Sequence, residues 1–145
     1  MYEYIEHNQR TTDPITNEVN LIGLENEILN TPEKYYEDRK NIFYERESEK
    51  TDTIQKINPK QLYFLTEIKR ILEKHNTKYR VVLAPGYSQT KFNPDDKETL
   101  INLYGNRVYD FSGKNSFTDN KTNYYETSHY RPVVGDSILM QIYRN

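Results

Sequence analysis

Asn58-Pro-Lys-Gln-Leu-Tyr-Phe-Leu-Thr-Glu-Ile-Lys-Arg-Ile-Leu-Glu-Lys-His-Asn-Thr-Lys-Tyr-Arg-Val-Val-Leu-Ala-Pro-Gly86 reads as a helix followed by a strand, and the fold class turns on that change of period. Asn58 is a capping residue and Pro59 suits the first helical turn, where its missing N–H costs nothing. Phe64, Leu65, Ile68, Ile71 and Leu72 then recur at one-face helical spacing, up to a stop near His75-Asn76. Arg80 to Ala84 is a short apolar run closed by Pro85-Gly86, the pattern of a parallel strand buried on both faces.

The same alternation continues downstream. Asn93-Pro94-Asp95-Asp96 supplies cap, first-turn proline and acids at the positive helix end, and Leu100, Leu103 and Tyr104 lead to Gly105 as the stop. Arg107 to Phe111 reads as a second short strand, Ser112 to Arg131 as a long loop, and Pro132 opens a helix with Val134, Ile138 and Ile142 on one face. The order α-β-α-β-loop-α implies an α/β domain with parallel strands and right-handed crossovers. In such sheets ligands bind beyond the carboxyl ends of the strands, where Pro85-Gly86-Tyr87-Ser88 and the loop after Phe111 emerge. Two strands alone do not make a sheet that two helical layers cover, so the scaffold reads as a partial one.

Upstream of residue 58 the signals thin. Asn8 to Pro14 is turn chemistry and Glu45 to Asp52 a solvated charge run. Tyr2, Tyr4 and Ile5 alternate with acids as in a short strand, and Thr31-Pro32 opens a helix expected over 32–46. The reading is therefore a polar, partly helical region over 1–57 and a folded α/β part over 58–145.

The whole 145-residue chain is polar, with 34% hydrophobic residues and a mean hydropathy of -1.01, yet 14 Tyr and 5 Phe argue against wholesale disorder. Twenty basic and 22 acidic residues are intermixed, giving a net charge of -2 and no basic stripe, so nucleic acid is not an expected partner. No apolar run approaches the ~20 residues of a membrane span and no signal peptide is recognisable, so the chain reads as soluble. With no Cys, thiolate metal sites are excluded; His7 and His75 lack metal-ligand spacing to another His and read as structural or surface residues. No metal or cofactor is expected.

Candidate chemistry concentrates in Asn123-Tyr-Tyr-Glu-Thr-Ser-His-Tyr-Arg-Pro132. Glu126 and His129, three residues apart on a loop, can turn toward each other so that the carboxylate accepts the Nδ1 proton and leaves Nε2 as a general base. The bland alternative for His129 is a loop histidine satisfied locally. Tyr124-Tyr125 and Tyr35-Tyr36 offer rings for sugar stacking, against the commoner role of half-buried cover. Tyr87, Ser88, Tyr125 and Tyr130 are the expected substrate-contacting residues, because they flank the crevice and the Glu126/His129 pair. Ser88 and Ser112 face the same crevice but lack the strained strand-to-helix turn of an activated nucleophile.

Val81-Val-Leu-Ala-Pro85, Val108-Tyr-Asp-Phe-Ser112, Tyr124-Tyr-Glu-Thr-Ser-His-Tyr130 and Gly135 together resemble the C-terminal half of SGNH (GDSL-like) hydrolases, and within them bacterial polysaccharide-tailoring relatives. The resemblance covers roughly residues 58 to 145. It implies a three-layer α/β/α, flavodoxin-like fold, an esterase or O-acyltransferase acting on an acylated carbohydrate or another small ester, and a cell-envelope setting. His129 matches the family's catalytic histidine, and Glu126 stands where an Asp is usual. The family's Gly-Asp-Ser nucleophile block after the first strand has no counterpart before residue 58. A literal Gly135-Asp136-Ser137 falls inside the last helical pattern with eight residues left, where it reads as coincidence. Two functions follow: a portion of an SGNH-type enzyme that carries Glu and His but not the serine, and a non-catalytic interaction or structural protein that keeps the half-fold. Either way the open strand edge predicts that the isolated chain self-associates or is partly disordered, or that it pairs with a missing N-terminal half.

Overall fold

The computed structural model describes residues 11–12, 14–15, 19–46 and 48–144, which fall into two compact units, Met1–Tyr44 and Glu45–Asn145. The strand expected at Tyr2 to Ile5, and His7, lie outside the described residues.

In the first unit, β1 (Thr11–Thr12) pairs antiparallel with β2 (Val19–Asn20), followed by α1 (Ile22–Asn30) and α2 (Pro32–Asp38). Leu24 and Ile28 of α1 and Tyr35 and Tyr36 of α2 are buried. The helix expected to reach residue 46 ends at Asp38, because the chain turns at Arg39 and brings Phe43 edge-on to Tyr36, ring centroids 5.4 Å apart. Arg39 lies over the Tyr35 ring and pairs with Glu27, so these tyrosines serve packing and offer no platform to a sugar.

The second unit is a mixed α/β arrangement built on short parallel pairs. Its elements are β3 (Lys50–Thr51), α3 (Pro59–Lys74), β4 (Val81–Leu83), β5 (Thr90–Lys91), α4 (Pro94–Tyr104), β6 (Val108–Asp110), α5 (Ser116–Asp119), β7 (Tyr124–Glu126), β8 (His129–Tyr130) and α6 (Pro132–Tyr143). β4 and β6 are parallel, with Val82 opposite Tyr109, and β3 and β5 form a second parallel pair. The boundary expected at residue 57 therefore falls inside this unit. Buried Asp96 explains the attachment of residues 52–57: its carboxylate accepts the Lys56 and Ile57 N–H groups at 2.7 and 2.9 Å.

Helices line both faces of the β4–β6 pair. Leu83, Leu100 and Tyr104 form one core cluster, with Val81, Val108 and Leu65 against it. Val134, Ile138 and Ile142 of α6 form the other, against Tyr109 and Phe111. Two expectations need correction. The 80–84 run is not buried on both faces: Arg80, Val82 and Ala84 are exposed, since the buried α6 cluster packs on Tyr109 and Phe111 of the β6 side and α6 meets the run through Tyr143, whose ring lies under the Arg80 guanidinium. The apolar stripe of α3 is not wholly a core face either, since Leu65 and Leu72 turn inward while Phe64, Ile68 and Ile71 are about half exposed. Among the described residues no helix is long and apolar enough to cross a membrane.

Candidate functional site

The stretch read as a long loop after β6 is structured. Asn115 caps α5, receiving the Phe117 and Thr118 N–H groups while the Thr118 hydroxyl receives the Asn115 N–H, a reciprocal capping box. Beyond α5 the chain forms a hairpin whose register sets Glu126 directly opposite His129, with Thr127-Ser128 as the turn and a bulge at Tyr125. A cross-strand pair replaces the loop geometry expected from spacing alone.

That register brings His129 Nδ1 into hydrogen-bonding contact with Glu126 Oε1, and the Ser128 N–H donates to Oε2 at 2.7 Å. The carboxylate is fixed from both sides and is 14% exposed, while the imidazole is 55% exposed. With Nδ1 held by the carboxylate, Nε2 is the ring nitrogen available to take a proton.

The hairpin is anchored at the carboxyl end of β4. Buried Tyr124 donates its hydroxyl to the Pro85 carbonyl at 3.3 Å and packs its ring edge-on to Tyr87, centroids 5.5 Å apart. Burial pushes the Tyr124 phenol up to about 12, with Arg46 opposing and Tyr130 adding to the shift. Arg46 donates to the Thr118 carbonyl and, at 2.8 Å, to that of Asp119, and its guanidinium lies 4.6 Å from the Tyr87 ring centroid. The crevice loop, α5 and the hairpin thus share one set of contacts.

Of the expected substrate-contacting residues, Tyr87 and Tyr125 are buried, each 4% exposed, so their rings pack rather than face a ligand. Ser88 is exposed and Tyr130 partly so. None of the three serines weighed as nucleophiles is bonded to His129: Ser88 donates to Thr90 Oγ1, Ser112 to Asp110 Oδ1 and Ser137 to the Val133 carbonyl one helical turn back. Gly135-Asp136-Ser137 lies inside α6, as its spacing indicated.

A second polar cluster at the carboxyl end of β6 escaped the sequence reading. Asp110, 10% exposed, lies between Lys91 and Lys97 at 3.1 and 2.7 Å and receives the Ser112 hydroxyl at 2.6 Å. Burial alone would raise its carboxyl, but the Lys97, Ser112 and Lys91 bonds outweigh it and hold Asp110 down at about 2. The Ser112 oxygen accepts the Phe92 N–H and Lys91 donates to the Ser112 carbonyl, so this cluster joins β5 to β6. Gln89, with φ of 55° in the left-handed region, is buried and donates to Asp119 Oδ1 at 3.0 Å. Among the described residues no group of three or more His, Cys, Asp or Glu is placed to hold a metal ion.

No protein-family model matches this chain, and neither a curated protein nor a solved structure matches it.

Proposed function

We propose that this chain supplies the acid–base portion of an SGNH-type carbohydrate esterase or O-acyltransferase, with the nucleophilic serine supplied by polypeptide outside this sequence. The observation that carries the reading is the Glu126/His129 cross-strand pair, whose carboxylate is also held by the Ser128 N–H. In this reading Nε2 of His129 accepts the proton of the attacking serine hydroxyl. Glu126 stabilises the imidazolium that forms, and His129 then returns the proton to the leaving alcohol. Exposed Ser88 and partly exposed Tyr130 are the residues we assign to the acylated sugar. The helices on both faces of β4–β6 support placing the unit within a wider three-layer, flavodoxin-like sheet.

A second reading, an interaction protein that keeps the half-fold without chemistry, is favoured by the commitment of Ser88, Ser112 and Ser137 to other partners.

One experiment separates the readings. The chain alone is expected to hydrolyse p-nitrophenyl acetate no faster than His129→Ala or buffer. Joined to the coding sequence upstream of Met1, which is expected to hold a Gly-Asp-Ser block, it is expected to turn over the ester and to lose roughly 10³-fold or more in His129→Ala. Joined protein that is inactive, or active without His129, would favour the interaction reading. Activity of the chain alone that vanishes in His129→Ala would place the nucleophile within these residues.

A further inference from the structure

α3 is the longest helix of the second unit, yet none of its 16 residues is buried, whereas the 11-residue α4 buries Leu100 and Tyr104 and the 12-residue α6 buries Val134, Ile138 and Ile142. It meets the cluster of Leu83, Leu100 and Tyr104 through Leu65. On either side of that seam the packing is open. Pro59, Leu62, Tyr63 and Thr66 border a hollow of about 470 Å³ with Thr99 of α4, and Gln61, Phe64 and Leu65 border one of about 420 Å³ with Phe92 and Leu100. At about 100° per residue the two sets lie on nearly opposite flanks of the helix. Each hollow is large against the ~30 Å³ of a water molecule, so water reaches the N-terminal half of α3 from two sides and docking removes little apolar area from solvent.

α3 is also nearly self-sufficient. Asn58 caps its start, Lys69 pairs with Glu73 and Arg70 with Glu67 within it, and Asn76, with φ of 51°, closes its end in a left-handed turn. Tyr104 holds it from α4 by donating its hydroxyl to the Leu65 carbonyl at 2.9 Å. The residues before it are tied elsewhere: the Lys56 and Ile57 N–H groups bond to Asp96, and the Asp52 N–H donates to the Lys91 carbonyl at 2.8 Å.

We propose that α3 is a hinged cover, which opens as a unit from the β4–β6 core while residues 52–57, α4, β6 and α6 stay folded. An element that buries few apolar groups and keeps its own hydrogen bonds loses least on departing, and local opening concentrates in such elements. The limits of the motion are the Ile57 N–H bonded to Asp96 on one side and the left-handed Asn76 ahead of β4 on the other. Opening joins the two hollows, since Ile57 stands in the wall of each, and uncovers the cluster of Leu83, Leu100 and Tyr104.

Native-state amide hydrogen exchange of the full chain in rising urea tests this. Amides from Tyr63 to His75 are expected to share one opening, with protection about 10²-fold or more below that of β6 and α6, while the Lys56 and Ile57 amides keep theirs. Tyr104→Phe is expected to lower α3 protection about fivefold. Ile138→Val, in the α6 core, is expected to lower protection of β6 and α6 about fivefold and to leave that of α3 unchanged, because α6 stays packed in the open state. Protection of α3 equal to that of α6 would overturn the proposal. So would α3 protection that falls in Ile138→Val or ignores Tyr104→Phe, or α3 amides that exchange by unrelated openings. Should Ile138→Val fail to fold, the wild-type ranking and Tyr104→Phe decide. Ester turnover enters none of these readouts, so the cover and the hydrolase reading fail separately.

Discussion

Replacing Asp110 by Asn removes one charge from between two lysines while keeping an oxygen that can accept from Ser112 Oγ, 2.6 Å away. The Asp110 carboxyl sits at about 2 in the folded chain, against roughly 3.9 when unfolded, and that gap corresponds to at most about 2.5 kcal/mol at neutral pH. Lys91 and Lys97 are 38 and 35% exposed, so water screens part of the attraction and about 1–2 kcal/mol is the better expectation. The folded value is depressed, so this stabilisation is present above about pH 4 and is lost as pH falls toward about 2. For a unit the size of Glu45–Asn145, Asp110→Asn should lower the melting temperature by about 5–10 °C at pH 7, and the gap should close on acidification. Melts followed by near-ultraviolet circular dichroism at pH 7, 4 and 2 measure this directly. A variant that melts with the wild type at neutrality, or a gap that persists at pH 2, would refute the assignment of Asp110 as the charge holding β5 to β6.

Three further substitutions probe the scaffold around the site. Gly113 has φ of +80°, and an added Cβ would lie 2.8 Å from Lys91 Cδ and 2.9 Å from Glu49 Oε1; Gly113→Ala is expected to cost about 2 kcal/mol or more in urea unfolding. Asp96→Ala leaves the Lys56 and Ile57 N–H groups without their acceptor, with an expected cost of about 2–4 kcal/mol and faster hydrogen exchange at both amides. Tyr124→Phe keeps the ring against Tyr87 but loses the bond to the Pro85 carbonyl, an expected loss of about 1 kcal/mol. In the wild type the Tyr124 phenol should stay un-ionised in ultraviolet titration until about pH 12.

Legibility in the sequence followed the strength of local signals. The Asn58-Pro59 and Asn93-Pro94 starts announced α3 and α4 because capping is local: Asn58 Oδ1 receives the Lys60 and Gln61 N–H groups, and Asn93 Oδ1 that of Asp96. The spacing of Val134, Ile138 and Ile142 gave the buried face of α6 for the same reason. α1 carried no such mark, since Leu21 is its N-cap without a side-chain bond and Gly23 sits in its first turn. The three-residue separation of Glu126 and His129 suggested their contact. The hairpin register that makes it depends on Tyr124 docking against Pro85 and Tyr87, 39 and 37 residues away in the chain. Asp110 and its lysines are a tertiary cluster drawn from β5, α4 and β6, which no spacing rule brings together. The exposure of Val82 and Ile68 was illegible because periodicity says which residues share a face and not whether anything covers it.

The central claim is that Glu126 fixes the imidazole of His129 with its proton on Nδ1, leaving Nε2 as the base. Long-range ¹H–¹⁵N correlation spectra of the neutral His129 ring, recorded for the wild type and Glu126→Gln, test it most directly. The account predicts an Nδ1–H tautomer in the wild type and a shift in the tautomer balance when the carboxylate becomes an amide. A neutral ring protonated mainly on Nε2, or one whose tautomer is indifferent to Glu126→Gln, would contradict it.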